Sequence, residues 1–146
     1  MDLILWRHAE AEDGSPDLSR KLTEKGKRQA EKTAAFLRRH LPKETRILVS
    51  PATRTLQTVR ALTDKFTTVA SIAPGASAHA VLQAAGWPGS NQTVLVVGHQ
   101  PTLGMVAAQL IGCEPLRIKK SGIWWLSREE GDAEATVRLA ITPDLL

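Results

Sequence analysis

Uninterrupted apolar runs alternate along the chain with segments in which apolar residues recur every three or four positions. Continuous runs are typical of strands that a sheet buries on both faces, and β-branched residues also favour strands. These features predict strands over residues 2–6, 46–49, 67–73 and 93–97. The helical spacing predicts amphipathic helices. We expect these over residues 23–40, 52–65, 78–85 and 102–111.

The residues at the ends of these segments support the predicted helices. Thr23 is placed to cap the first helix, since a hydroxyl accepts a hydrogen bond from a free N–H of the first turn. Pro42 ends the same helix because proline cannot continue it. Gly86 and Gly112 are expected to close the third and fourth helices.

The C-terminal tail has a different pattern. It reads as three strands, LRIKK (116–120), IWWLS (123–127) and ATVRLAIT (135–142), joined by turns. Strands that alternate with helices predict an α/β, three-layer sandwich with a mainly parallel central sheet flanked by helices. The tail then adds antiparallel edge strands. A length of 146 residues suits one domain over residues 1–146 with no large cap insertion.

Composition and charge narrow the possible classes of partner. The net charge of +4 is compatible with an anionic substrate but too small to indicate a nucleic-acid-binding protein. The basic residues are spread along the sequence. We expect one group of them to form a solvated helix face: Lys21, Lys25, Lys27 and Arg28.

Several features favour a cytoplasmic location. No apolar stretch reaches the roughly 18 residues that a membrane-spanning helix needs. Asp2 and Arg7 are out of place in a signal peptide. The single Cys113 cannot form an internal disulfide, which suits a reducing compartment. We expect a cytoplasmic monomer with no nucleic-acid or membrane partner.

Arginines and histidines follow three of the predicted strands. Arg7 and His8 come directly after the first strand, Arg54 lies in the first turn of the helix after the second, and His99 follows 93–97. Parallel α/β sheets bind ligands at the carboxyl ends of their strands. Arginine grips phosphate through two N–H groups. The sequence therefore predicts a phosphate-sized anion site that collects these side chains.

The motifs around these residues resemble the histidine phosphatase (phosphoglycerate-mutase-like) superfamily, and within it the SixA-like phosphohistidine phosphatases. The matching stretches are LILWRHAEAE, DLSRKLTEKGKRQA, SPATRTLQT and VLVVGHQPTLG, which fall in order within roughly residues 1–110. Two positions depart from the pattern. Ala9 stands where many members have glycine, and Lys21 replaces a proline often found before Leu-Thr.

The resemblance implies a catalytic role for each of the four strand-end residues. His8 would be the nucleophile that is transiently phosphorylated, and Arg7, Arg54 and His99 would bind the phosphate. An imidazole is a competent nucleophile if its other nitrogen is held as a donor, for example by a backbone carbonyl. We expect the surrounding cations to lower the pKa of His8. With so much fixed positive charge, no metal and no cofactor are expected.

The substrate expected from the resemblance is phosphohistidine on a protein, such as a phosphotransfer domain. Residues 67–92 contain no Asp or Glu, so the acid that usually protonates an alkoxide leaving group is missing there. Glu10 or Glu12 could supply an acid from another direction. Two alternatives stay open: a small-molecule phosphomonoesterase of the same fold, and a non-catalytic module that binds phosphorylated proteins. A mutase is disfavoured because nothing indicates a second substrate-binding lobe.

Four remaining residues invite other interpretations. His40 and His79 lie outside every motif and are expected to be exposed. Arg20, in the loop before the first helix, is expected to be solvated rather than in contact with substrate. Cys113 lacks the arginine that a cysteine phosphatase needs six positions later, so we expect a small buried hydrophobic residue.

Overall fold

A six-stranded β-sheet with the strand order β3-β2-β4-β1-β5-β6 forms the centre of the molecule in a computed structural model. The structure describes residues 1–89 and 91–146. The strands are β1 Asp2–Arg7, β2 Arg46–Val49, β3 Thr67–Thr68, β4 Thr93–Gly98, β5 Ile123–Ser127 and β6 Thr136–Ile141. The first four strands run parallel to one another. The last two are antiparallel and form one edge, which confirms the predicted α/β sheet.

Four α-helices cover the two faces of the sheet in the described part of the chain. They are α1 Glu24–His40, α2 Thr53–Arg60, α3 Ala78–Ala85 and α4 Thr102–Ile111. Side chains of a strand alternate between faces, and β1 uses both. Leu3 and Leu5 pack with residues of α3 and α4. Ile4 and Trp6 pack with residues of α1 and α2. The three-layer sandwich is confirmed.

Two predicted strands are wrong in whole or in part. The strand expected over 67–73 is limited to Thr67–Thr68, and a 3₁₀ turn over Ala70–Ile72 follows it. This strand lies at the sheet edge, and the turn carries Ile72 into the core, where it is 3% exposed. Residues 116–120 form no strand. Their backbone is held from another side, because the N–H of Leu116 donates to the carbonyl of Gly104 in α4 at 3.2 Å.

The helix predicted over 52–65 also ends early, at Arg60. Its last turn tightens, since the N–H groups of Ala61 and Leu62 donate to carbonyls three residues back. The first helix begins as expected, because the hydroxyl of Thr23 accepts a hydrogen bond from the Gly26 N–H at 2.9 Å.

Gly26 lets α1 approach the segment that follows β1. A Cβ at this position would overlap the backbone carbonyl oxygen of Glu10, which also accepts a hydrogen bond from the Thr23 N–H at 3.0 Å. We expect Gly26→Ala to lower the free energy of unfolding by about 1–3 kcal/mol, although alanine is by about 1 kcal/mol the better helix former. Denaturant unfolding measures this, with the exposed Glu31→Ala as control. A Gly26→Ala variant as stable as the wild type would contradict the close approach.

Candidate active site

The carboxyl ends of β1, β2 and β4 meet at one cleft. Arg7 pairs with Gly98 in the register of β1 and β4, so His8 and His99 follow neighbouring positions. Their ring centroids lie 5.3 Å apart with the planes tilted by 55°. The cleft has a volume of about 260 Å³. Its lining residues are Arg7, His8, Ala11, Asp13, Arg20, Arg54, Pro74, His99, Gln100 and Lys120.

All four residues expected at the site line this cleft. Two further cations, Arg20 and Lys120, join them. Arg20, which was expected to be solvated, keeps part of its side chain exposed, while its Nε donates to the Glu12 carbonyl at 2.7 Å and the residue lines the cleft. Lys120 lies in a segment that was expected to be a strand of the C-terminal tail, so the sequence did not indicate that this residue lines the cleft.

His8 is held in one orientation and one tautomer. Its Nδ1 lies 2.7 Å from the carbonyl oxygen of Ala9. A carbonyl oxygen accepts hydrogen bonds and cannot donate, so Nδ1 carries the proton and Nε2 keeps its lone pair. The backbone is fixed as well, because the His8 N–H donates to Gly98 and its carbonyl accepts from the N–H of Ser121. The ring is therefore arranged as a nucleophile with Nε2 free to react.

Burial keeps the imidazole of His8 neutral. It lowers the pKa of His8 to about 4, the bond to Ala9 opposes that shift, and the cations of Arg54, Arg7 and Arg20 add to it. The direction agrees with the expectation, but burial and not the cations is the larger cause. A protonated imidazole has no free lone pair. His8 therefore stops being a nucleophile only when the pH falls below its pKa of about 4.

This pKa gives a testable prediction on the resting protein. We expect NMR titration of the His8 ring to show a midpoint near pH 4 and, at neutral pH, the tautomer with the proton on Nδ1. The His8→Ala variant, which lacks this ring, identifies the signals that belong to His8. A His8 midpoint close to 6.5, the ordinary value for histidine, would contradict the buried neutral state.

Arg54 is buried and oriented by Asp17. Its Nη1 donates to the Asp17 carbonyl at 2.9 Å, and its Nη2 lies 3.1 Å from Oδ2 of the same residue. The other carboxylate oxygen of Asp17 accepts from Arg20 at 3.1 Å. These bonds from Arg20 and Arg54 lower the pKa of the Asp17 carboxyl. Asp17 therefore links two cations of the cleft, a role that sequence reasoning did not assign to it.

Some of the side chains that line the cleft carry buried polar atoms without a hydrogen-bond partner. Within residues 1–89 and 91–146, the buried side-chain nitrogen and oxygen atoms that lack a hydrogen-bond partner are Arg7 Nε, Arg54 Nε and His99 Nδ1. Buried polar groups are rarely left unpaired, so such a group calls for an explanation. All three belong to residues that line the cleft. The arrangement suits an anion, which would accept hydrogen bonds from several donors at once.

His99 is held by a serine that follows β2. Its Nε2 lies 2.7 Å from the hydroxyl oxygen of Ser50, and both residues are buried. The pKa of His99 is lowered to about 3, chiefly by burial, with smaller contributions from the nearby His8 and Arg54. Because an anion in the cleft would favour the protonated ring, this pKa depends on whether the cleft is filled.

The carboxylates suggested as general acids lie beside the cleft rather than in it. Glu10 accepts a hydrogen bond from the Thr23 hydroxyl at 2.8 Å, which lowers its pKa. Glu12 is exposed. Among the described residues that line the cleft, Asp13 is the one with a carboxylic acid side chain.

The remaining candidates have simpler outcomes. His40 and His79 are exposed as expected. Cys113 is exposed, so the expectation that it is buried is wrong. In the part of the chain that the structure describes, no cluster of His, Cys, Asp and Glu is arranged to hold a metal ion. No helix there is long and apolar enough to cross a membrane.

The sheet and the cleft are those of a phosphate-handling α/β protein with a histidine at the end of its first strand. The chain belongs to the histidine phosphatase superfamily (branch 1), whose family model matches residues 3–77. It is therefore a phosphatase of the histidine phosphatase fold. A curated relative, the phosphohistidine phosphatase SixA homolog of Haemophilus influenzae, is 33% identical over 129 residues, which cover 77% of this chain and 78% of the relative.

Solved structures agree with this assignment. The protein histidine phosphatase SixA complexed with tungstate superposes with a TM-score of 0.82 and 25% identity, covering 99% of each chain. A phosphoserine phosphatase mutant from Entamoeba histolytica, complexed with phosphoserine, has a TM-score of 0.76 and 17% identity, covering 99% of this chain and 98% of its own. The second likeness concerns the fold alone, so the fold by itself does not select the substrate.

Proposed function

We propose that the protein is a metal-independent phosphohistidine phosphatase that forms a covalent phospho-His8 intermediate. The observation that carries the proposal is the bond between Nδ1 of His8 and the Ala9 carbonyl, which leaves Nε2 as the reactive atom inside the cleft. The substrate would be a protein such as a phosphotransfer domain. The chain would act as a cytoplasmic monomer, and its one domain, without a cap insertion, would leave the cleft open to a protein surface.

The reaction would proceed in two transfers of the phosphoryl group. The lone pair on Nε2 of His8 attacks phosphorus, and the N–P bond of the substrate breaks with its electron pair going to the departing imidazole, which takes up a proton. Water then attacks phosphorus, the bond to His8 breaks, and inorganic phosphate leaves. The proton released by the water balances the one taken up by the substrate histidine.

The cleft would stabilise the charge of the group in transfer. Arg7, Arg54 and His99 would donate to its three equatorial oxygens, where charge must be stabilised. Their unpartnered nitrogens support this role, because such atoms are available to an anion without breaking an existing bond. A SixA structure holding tungstate, a tetrahedral oxyanion, gives a parallel in a related protein.

The leaving group favours phosphohistidine over phosphate esters. An alkoxide needs a proton from a strong acid, whereas imidazole leaves with less help because its phosphoryl bond is already weak. Residues 67–92 contain no Asp or Glu. Among the described residues, the carboxylic acid that lines the cleft is Asp13, and it is exposed rather than buried against the site.

Parallel assays separate this proposal from its alternatives. A phosphohistidine-bearing phosphotransfer domain and a panel of sugar phosphates would be offered to the same preparation. We expect a clear preference in kcat/KM for the phosphohistidine protein. Preference for a sugar phosphate would favour a small-molecule phosphomonoesterase instead. Binding of the phosphoprotein without release of phosphate would favour the non-catalytic module.

Removal of metal tests the electrostatic part of the proposal. The positive charge of Arg7 and Arg54 is built into the cleft, so we expect turnover to be the same before and after dialysis against a chelator. Phosphate release measured with and without added divalent cations checks this. Activity that is lost on chelation and restored by a metal ion would contradict it.

A further inference from the structure

A groove of about 570 Å³ lies directly beside the cleft, between α1, the segment before β5 and the C-terminal turn. Apart from Arg7, six cationic side chains line it: Lys25, Arg28, Lys32, Arg117, Lys119 and Lys120. The acidic residues in its lining are Glu10 and Asp144. The groove therefore has an excess of five positive charges, whereas the net charge of the whole chain is +4. Outside the groove the molecule is on balance slightly acidic.

The folded chain concentrates cations that the sequence spreads out. Lys25, Arg28 and Lys32 follow one another at intervals of three and four residues, which places them on one face of α1. The residues of the expected solvated face, Lys21, Lys25, Lys27 and Arg28, are all exposed, but Lys21 lies before α1 and the others have different surroundings. Lys25 and Arg28 line the groove, whereas Lys27 forms an ion pair with Glu24 at 3.0 Å.

These groove cations are available to a partner. All six are exposed, and Lys120 lies 3.8 Å from Glu10. For the other five, no ion pair is found among residues 1–89 and 91–146. Like charges held close together repel each other, and a bound anionic surface relieves that repulsion. The groove thus suits a ligand that carries several negative charges.

The groove and the cleft form one continuous surface. Arg7 and Lys120 line both. A protein that inserts a phosphohistidine into the cleft would therefore place the surface next to that residue over the groove.

We propose that the groove binds an acidic surface that flanks the phosphohistidine on the substrate protein, an inference that rests on the proposed function. Single-stranded nucleic acid is disfavoured because none of the described residues that line the groove is aromatic and able to stack on a base. A small dianion is disfavoured because it needs donors that converge on one point. Here the charges are carried by exposed side chains on separate segments of the chain.

Defined peptides provide the test. Three phosphohistidine peptides of equal length would carry acidic, neutral or basic residues around the phosphohistidine. We expect kcat/KM to be highest for the acidic peptide by about tenfold or more at low salt, since complementary charge raises association rates. The preference should shrink as salt screens the groove.

A pair of double variants isolates the groove. Lys25→Glu with Lys32→Glu reverses two groove charges, and Lys43→Glu with Lys65→Glu makes the same change at exposed positions outside the groove. We expect the groove variant to lose the preference for the acidic peptide and the control variant to keep it. Circular dichroism of both variants verifies that they are folded.

The outcomes test the docking groove separately from the phosphohistidine phosphatase activity. Hydrolysis of all three peptides at equal rates by the wild type would overturn the docking groove and leave the phosphohistidine phosphatase intact. Equal loss of preference in both double variants would overturn it as well, as would tight binding of a single-stranded RNA together with no peptide preference. Failure to hydrolyse any phosphohistidine peptide would overturn the proposed function, and the groove assignment with it.

Discussion

Replacing His8 by alanine is expected to abolish phosphate release. The imidazole Nε2 is the one atom that would form a bond to phosphorus, and the ring is oriented by the 2.7 Å hydrogen bond from Nδ1 to the Ala9 carbonyl oxygen. Loss of a covalent nucleophile costs on the order of 10⁴-fold or more in turnover. Initial rates on a phosphohistidine protein measure this, with His79→Ala as the matched exposed control.

The same variant should remain folded. The side chain of His8 is a small part of what packs around β1. The hydrogen bonds from its backbone to Gly98 and Ser121 do not depend on the side chain, so alanine keeps them. Circular dichroism and denaturant unfolding check this separately from activity. Turnover of the folded His8→Ala protein within about tenfold of the wild type would show that another group attacks phosphorus.

Arg54→Ala is expected to reduce kcat/KM by about 10²–10⁵, the range found when an arginine or an oxyanion donor is removed from a transfer site. The guanidinium is buried at the cleft with Nε unpartnered, while Asp17 holds its other two nitrogens. Arg54→Lys keeps the charge but loses the planar fork, so we expect it to recover only part of the activity.

A matched variant in the same helix controls for changes to α2. Arg60 is exposed and lies outside the cleft, so Arg60→Ala should retain activity. The inhibition constant of inorganic phosphate gives a second readout, because it should rise in Arg54→Ala and not in Arg60→Ala. An Arg54→Ala enzyme with wild-type kcat/KM and unchanged inhibition by phosphate would show that Arg54 does not bind the phosphoryl group.

The positions of the four site residues were predictable because they depend on strand ends. Parallel strands place their carboxyl ends at one edge, and buried apolar runs made β1, β2 and β4 recognisable. The pairing of Arg7 with Gly98 then brings His8 next to His99. Local sequence also sufficed for the cap of α1, since the Thr23 hydroxyl bonds to a residue three positions away.

What the sequence could not provide depends on contacts between distant segments. Asp17 meets Arg54 across 37 positions of sequence, and no periodicity signals such a pair. Residues 116–120 have the composition of a strand, but the bond from Leu116 to α4 holds them elsewhere. The exposure of Cys113 likewise depends on where its turn lies after α4. The basic groove joins α1 to this same segment, so it was invisible without the fold.

Covalent trapping tests the central claim most directly. The protein would be mixed with a radiolabelled phosphohistidine protein and quenched in alkali, which preserves phosphohistidine. The account predicts label on the wild type that is stable to base, lost in acid and mapped by mass spectrometry to His8, with none on His8→Ala. Rapid turnover by the wild type with no trapped label, or label at a residue other than His8, would contradict it.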